Sequence, residues 1–162
     1  MIFRRILPGE ALAYREIRLR ALQDSPGAFL ARYEDAILRT PESWEAQAEQ
    51  GAEGSDRAIF LAIGEGAEPP VGLAALYRDA EPPGSTTGEL IQVWVTPEQR
   101  GKGVAEGLIA HLLDWARGQG FIVVRAEVTP ENGRALRFYQ RGGFTVEPPI
   151  EPGGDLPIWK EL

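Results

Sequence analysis

The strongest chemical signal in this 162-residue chain is the run Val95-Thr96-Pro97-Glu98-Gln99-Arg100-Gly101-Lys102-Gly103-Val104-Ala105. A β-rich stretch leads into a glycine turn, and the turn opens an apolar-periodic helix. The first N–H groups of a helix have no internal partner, and the helix dipole adds partial positive charge there, so such a junction favours anions. Gly101, Gly103 and Ala105 carry little or no side chain, which lets a pyrophosphate approach the backbone. Arg100 and Lys102 bring positive charge to the same place. A glycine turn that only starts a helix is the plain alternative. Two phosphate motifs do not fit. A P-loop needs Ser or Thr after its Gly-Lys, but Lys102 precedes Gly103; the dinucleotide fingerprint needs a third glycine where Glu106 stands.

Elements must hold this turn in place. Ile2–Leu7 is expected as a short strand ended by Pro8-Gly9, and Leu12, Ala13, Ile17, Leu19, Ala21 and Leu22 predict a helix from Glu10 to about Gln23. Ser25-Pro26-Gly27 breaks it, and Ala28–Leu38 is expected as a second helix. Thr40-Pro41 looks like an N-cap with proline at the first helical position, opening a helix to about Gln50. Strands are predicted at Ala58–Ile63, Val71–Tyr77 and Glu89–Val95, with loops at Gly64–Pro70 and Glu81–Gly88. Val104, Leu108, Ile109, Leu112, Leu113 and Ala116 recur at helical spacing, and Gly118 and Gly120 stop that helix. Phe121–Val128 is a strand, Glu131–Arg141 a short helix, and Phe144–Val146 with Pro157–Leu162 a final strand pair. The order predicts one mixed α/β domain spanning residues 1–162.

Composition narrows the function. Lysine and arginine number 17 and aspartate and glutamate 24, a net charge of −7, which argues against nucleic acid as the main partner. The absence of cysteine excludes disulfides, thiolate metal sites and a cysteine nucleophile, and a single histidine, His111, excludes any two-histidine site. His111 falls on the outward face of its helix. No apolar run reaches the roughly 18 residues of a membrane span, and MIFRRILPGE lacks a secretory pattern, so no membrane partner and a cytoplasmic setting are expected.

The motif resembles the GNAT acetyltransferase superfamily. Its cofactor signature Q/R-x-x-G-x-G/A is matched by Arg100, Gly103 and Ala105, and its preceding Val-x-Pro by Val95-Thr96-Pro97. Downstream, Asn132, Ala135, Tyr139 and Gly143-Phe144 match the family's second block in order and spacing. The resemblance covers roughly Glu89–Phe144. It implies a mostly antiparallel central mixed sheet flanked by helices, with strands splayed at the acetyl-coenzyme A site and a bulge near Ile91–Val93. Cofactor contact is implied for Val93, Trp94, Val95, Arg100, Gly101, Lys102, Gly103, Val104, Ala105, Glu106 and Asn132, with no metal.

The implied reaction is direct attack by a primary amine of a small molecule or peptide on acetyl-coenzyme A in a ternary complex. The amine must be neutral, the oxyanion needs donors, and the departing thiolate benefits from a proton. Tyr139 matches the family's general acid, and Glu89 matches the offset of the glutamate that some members use as base. Each has a plainer alternative. Asn132 could simply cap its helix, Tyr139 could be a buried core tyrosine, and Glu89 could be a solvated strand-start acid. Glu34, Asp35, Glu42 and Glu45 could form an acidic rim or a solvated face, and Trp44, Trp94, Tyr33 and Phe29 an acceptor pocket or core. The acceptor is not legible, and neither is the choice between monomer and homodimer. A non-catalytic acyl-coenzyme A sensor and a longer-chain acyl donor stay open.

Overall fold

The computed structural model describes residues 1–66 and 69–162. The expected Gly64–Pro70 loop thus includes two residues, 67 and 68, outside the described ones. Its frame is a seven-stranded sheet: β1 Ile2–Arg5, β2 Arg57–Ile63, β3 Gly72–Arg78, β4 Thr87–Val95, β5 Val123–Val128, β6 Thr145–Val146 and β7 Leu156–Glu161. The spatial order is β1-β2-β3-β4-β5-β7-β6. Every neighbouring pair is antiparallel except β4 and β5. This is the mixed, mostly antiparallel sheet that the family resemblance implies.

β2 shows why the sheet is covered on both faces. Its residues alternate sides. Ala58, Phe60 and Ala62 join one buried cluster, together with helix α4 (Val104–Gly118). Ile59 and Leu61 join the other, together with α1 (Ala11–Asp24) and α3 (Pro41–Ala52). The apolar stripe of α4 buries Leu108 and Leu112 completely. Burying each such side chain contributes about 1.5–3 kcal/mol, which anchors the helix and fixes where its N-terminus emerges. α5 (Gly133–Arg141) lies on the α4 side through Tyr139.

Several expectations need correction. The helix expected over Ala28–Leu38 shrinks to α2 (Tyr33–Ala36), after a 3-10 turn at Pro26–Ala28. Leu30 is 95% and Leu38 81% exposed, so that stretch has no apolar face to bury, and an unsupported short helix does not persist. On α1, Leu12 points to solvent while Tyr14 and Arg18 are buried. The capped start at Thr40 is as expected: its side chain accepts from the Ser43 N–H at 3.1 Å. β4 begins two residues earlier than the sequence suggests, at Thr87, because Thr87–Glu89 pair with β5. β5 begins later than expected, at Val123.

Candidate functional site

β4 and β5 form a wedge. They pair in parallel at Thr87↔Val123, Gly88↔Val124 and Glu89↔Arg125, and there the pairing ends. Leu90–Val95 on one strand and Ala126–Val128 on the other share no register pair, so the strands diverge toward their C-terminal ends. β4 is also bulged. Its register against β3 runs Ala75↔Ile91 and then Leu73↔Trp94, so Gln92 and Val93 together oppose Ala74. Gln92 adopts φ 58°, a left-handed conformation uncommon for a residue other than glycine. The bulge lies where the resemblance implies it.

The glycine turn closes the open end of β4. Gly101 has φ 75° and Gly103 φ 82°, and a Cβ built on either would meet no protein atom within 4 Å. None of the backbone N–H groups from Gly101 to Glu106 donates to a backbone carbonyl among the described residues, and the first helical bond runs from Gly107 N to Gly103 O at 3.0 Å. A row of free N–H donors therefore lies beneath open space at the positive end of α4, an arrangement that fits a pyrophosphate. Lys102 is exposed and joins no ion pair among the described residues.

Arg100 is engaged within the protein. Its Nε donates to Val95 O at 3.0 Å and its Nη2 to Asp24 Oδ2 at 2.5 Å. The same Asp24 oxygen accepts from Trp94 Nε1 at 3.0 Å and from the Ser25 hydroxyl at 2.7 Å. The hydrogen bonds from Ser25, Arg100 and Trp94 hold the Asp24 carboxyl at a pKa of about 2. Asp24 thereby ties the end of α1 to β4 and the glycine turn. The sequence reading missed it, since an aspartate at a helix end gives no local sign of a partner 76 residues away.

Glu89 occupies the apex of the wedge, the last position at which β4 pairs with β5. Its carboxylate accepts from Arg125 Nε at 2.8 Å, and Arg125 also pairs with Asp79 at 2.8 Å. Its pKa is raised. Burial is the main cause and outweighs the Arg125 pair, with Asp79 and Glu127 adding repulsion. Tyr139 is buried between the rings of Phe138 and Phe144, at 5.1 and 5.2 Å centroid distance. Desolvation pushes its hydroxyl well above the usual tyrosine range. It borders a cleft of about 310 Å³ between α4 and α5, which Glu106, Ile109 and Leu113 also line. Asn132 caps α5, accepting from Ala135 N at 3.1 Å, and borders a different opening with Gly27, Ala28 and Thr129. Val93 is half-buried, while Trp94 and Val95 are buried on opposite faces of the sheet.

The remaining candidates disperse. Trp44 and Trp94 belong to the core cluster beneath α1 and α3. Glu34, Asp35, Glu42 and Glu45 are exposed. His111 is exposed, its ring tilted against that of Phe3 at 5.1 Å between centroids. No described helix is long and apolar enough to cross a membrane.

The profile of the acetyltransferase (GNAT) family matches residues 14–144. Streptothricin acetyltransferase of Streptomyces lavendulae is 34% identical over 106 residues, covering 64% of this chain and 54% of the relative, so the chain spans about half that protein's length. L-methionine sulfoximine/L-methionine sulfone acetyltransferase of Pseudomonas aeruginosa is 31% identical over 145 residues, covering 80% of each. Among solved structures, a GNAT-family acetyltransferase from Streptococcus pneumoniae superposes with TM-score 0.84 at 20% identity over 99% of both chains. YncA from Salmonella typhimurium, solved with its cofactor acetyl-CoA, gives 0.75 at 26% identity over 100% of this chain and 94% of that one.

Proposed function

From the premise that this chain belongs to the acetyltransferase (GNAT) family, we propose that it transfers the acetyl group of acetyl-coenzyme A to a primary amine by direct attack in a ternary complex. The observation that carries this reading is the row of free N–H groups at Gly101–Glu106, beneath open space and beside the diverging ends of β4 and β5. The donors from Gly101 to Ala105 would hold the pyrophosphate, with Lys102 and Glu106 at its margin. Val93–Val95 would pair along the pantetheine amides as an added strand does, and Asn132 would reach the same arm. Bound acetyl-coenzyme A supplies a thioester, an acyl group already activated toward amines.

The protein's own groups supply the proton movements. Tyr139, protonated at neutral pH as any phenol is, holds a proton at Oη for the departing sulfur. Glu89, whose raised pKa makes it a better base than an ordinary glutamate, accepts at its carboxylate the proton that the amine loses, directly or through water. Arg125 fixes that carboxylate at the wedge apex. The acceptor is a small molecule or peptide amine. The relatives named for streptothricin and for L-methionine sulfoximine add those two compounds to the test panel. The setting proposed is cytoplasmic and the reaction metal-free.

The test is calorimetric titration with acetyl-coenzyme A followed by a thiol-release screen over small amines, amino acids, polyamines and peptide N-termini. Gly103→Asp puts negative charge and a side chain in the open space and is expected to abolish measurable binding. Unchanged affinity in that variant would remove the cofactor placement. Tight binding without thiol release from any amine would make the chain an acyl-coenzyme A sensor, and a preference for longer acyl groups would revise the donor.

A further inference from the structure

Among the described residues, two buried side-chain nitrogens or oxygens have no hydrogen-bond partner: Arg18 Nη1 and Trp44 Nε1. Both are donors, and both adjoin Tyr14. Arg18 lies one turn beyond Tyr14 on α1, and Trp44 meets the Tyr14 ring edge-on at 5.6 Å. Arg18 is only 7% exposed. Its side chain makes no hydrogen bond to any described residue, although Arg4, Arg32, Arg78, Arg100, Arg117 and Arg125 all pair with acids. The Phe29 ring sits 4.8 Å from its Cζ. A ring there satisfies the face of a guanidinium, but the N–H donors lie in its plane, and Nη1 among them is buried without a partner.

The surroundings deepen the deficit. Burial disfavours the charge on Arg18; the neighbouring Tyr14 hydroxyl offsets part of this, and the cation Arg39, which stacks 3.9 Å over Trp44, adds to it. Arg39 hydrogen-bonds to Ser43 and likewise has no acid partner among the described residues. In a chain carrying seven excess negative charges, these two neighbouring guanidiniums thus go without an ion-pair partner among the described residues. A buried cation without a counter-ion is among the least favourable arrangements in a protein, and an anionic ligand would relieve it. The region also connects to the proposed reaction centre. The Tyr14 hydroxyl donates to Gln92 Oε1 at 2.8 Å, and Gln92 is the strained residue of the β4 bulge.

We propose that Arg18 receives the carboxylate of the acceptor, so that the amine acetylated is that of an amino acid or a related amino-carboxylate. The proposal rests on the acetyl-transfer reading for the identity of the ligand as acceptor. A carboxylate would accept a forked pair of N–H bonds from Arg18, the geometry for which a guanidinium is suited and an ammonium is not.

The test is binding in the presence of saturating coenzyme A, read by thermal shift and calorimetry. The probes are L-methionine, L-methionine sulfone, L-phenylalanine and L-lysine, each beside its carboxamide. At least one acid is expected to bind about 10–100-fold more tightly than its amide, the usual worth of charge-assisted hydrogen bonds. In Arg18→Met that ratio should collapse toward one, and in Arg18→Lys it should fall part-way. The thermal midpoint of ligand-free Arg18→Met should equal or exceed that of the unaltered protein, since an unpaired buried charge has been removed. Equal affinity for acids and amides across the panel, or no binding by any acid, overturns the proposal without need of a variant. A large drop in the midpoint with the ratio intact also overturns it. Because binding is read without turnover, carboxylate-selective binding with no thiol release would end the acetyl-transfer reading while leaving the Arg18 site in place. Thiol release indifferent to the carboxylate would do the reverse.

Discussion

Burial pushes both Tyr139 and Glu89 toward their protonated forms, which bears differently on the two roles proposed for them. A phenol keeps its proton at neutral pH in any case, and one within hydrogen-bond reach of the sulfur can pass that proton to the departing thiolate. Tyr139→Phe is therefore expected to lower turnover about 10²–10⁴-fold, the usual worth of general acid catalysis, with acetyl-coenzyme A affinity nearly intact. Turnover and thermal midpoint measured on one preparation separate this from a packing role, in which only the midpoint moves. A carboxyl with a raised pKa behaves differently: it must ionise before it can act. If Glu89 is the base, kcat/KM rises with pH through an ionisation above the ordinary glutamate value of about 4.3. Arg125 stabilises the charged form, so Arg125→Met should move that limb to higher pH, and Glu89→Gln should remove it. A limb that stays fixed in both variants would belong to the acceptor amine instead. Glu89 could be singled out from its spacing to Arg100, but not its partner: Arg125 lies 36 residues away and meets it only because β4 and β5 pair in parallel there.

At the scale of elements, local patterns were legible wherever a buried face or a cap decided the outcome. Thr40-Pro41 and the α4 stripe are of that kind. The extent of α2 was not legible, because Leu30 and Leu38 look apolar in sequence yet have nothing to pack against. The Asp24 clamp was also hidden, since it joins α1 to β4 and the glycine turn across the fold. That clamp has a pH signature. Asp24 has a folded-state pKa of about 2, below its unfolded value, so its contribution is fully present above about pH 4 and is lost as the pH falls toward 2. Asp24→Asn should lower the thermal midpoint at pH 6, and the gap from the unaltered protein should close as the pH falls through that window. A gap independent of pH would mean that the carboxylate charge does not hold the turn.

For the molecule as a whole, the sheet is two halves joined at one parallel seam. β4 and β5 hold together at three positions near the start of each strand and then separate, so β1–β4 and β5–β7 meet across a wedge. The mixed, mostly antiparallel sheet and the wedge were accessible from the sequence through family resemblance alone, and the strand order was not read at all, because periodicity marks strands without saying which ones pair. The buried, unpaired Arg18 lay beyond it altogether, since a charged residue in an amphipathic helix is expected to face water. If acetyl-coenzyme A fills the wedge, it bridges both halves and binds only the folded chain. At 100 times its dissociation constant it should then add about 2.7 kcal/mol of stability. For a chain of this size each kcal/mol raises the midpoint by about 2–4 °C, so the expected rise is about 5–10 °C. Gly103→Ala should keep most of that rise while starting from a lower midpoint, because a left-handed conformation costs a residue with a Cβ about 1–2 kcal/mol. Gly103→Asp, with the same backbone strain plus a charge facing the phosphates, should lose the rise entirely. Melting curves across an acetyl-coenzyme A series decide the matter: equal rises in the Ala and Asp variants would place the cofactor away from the turn, and no rise in the unaltered protein would leave the wedge without its proposed ligand.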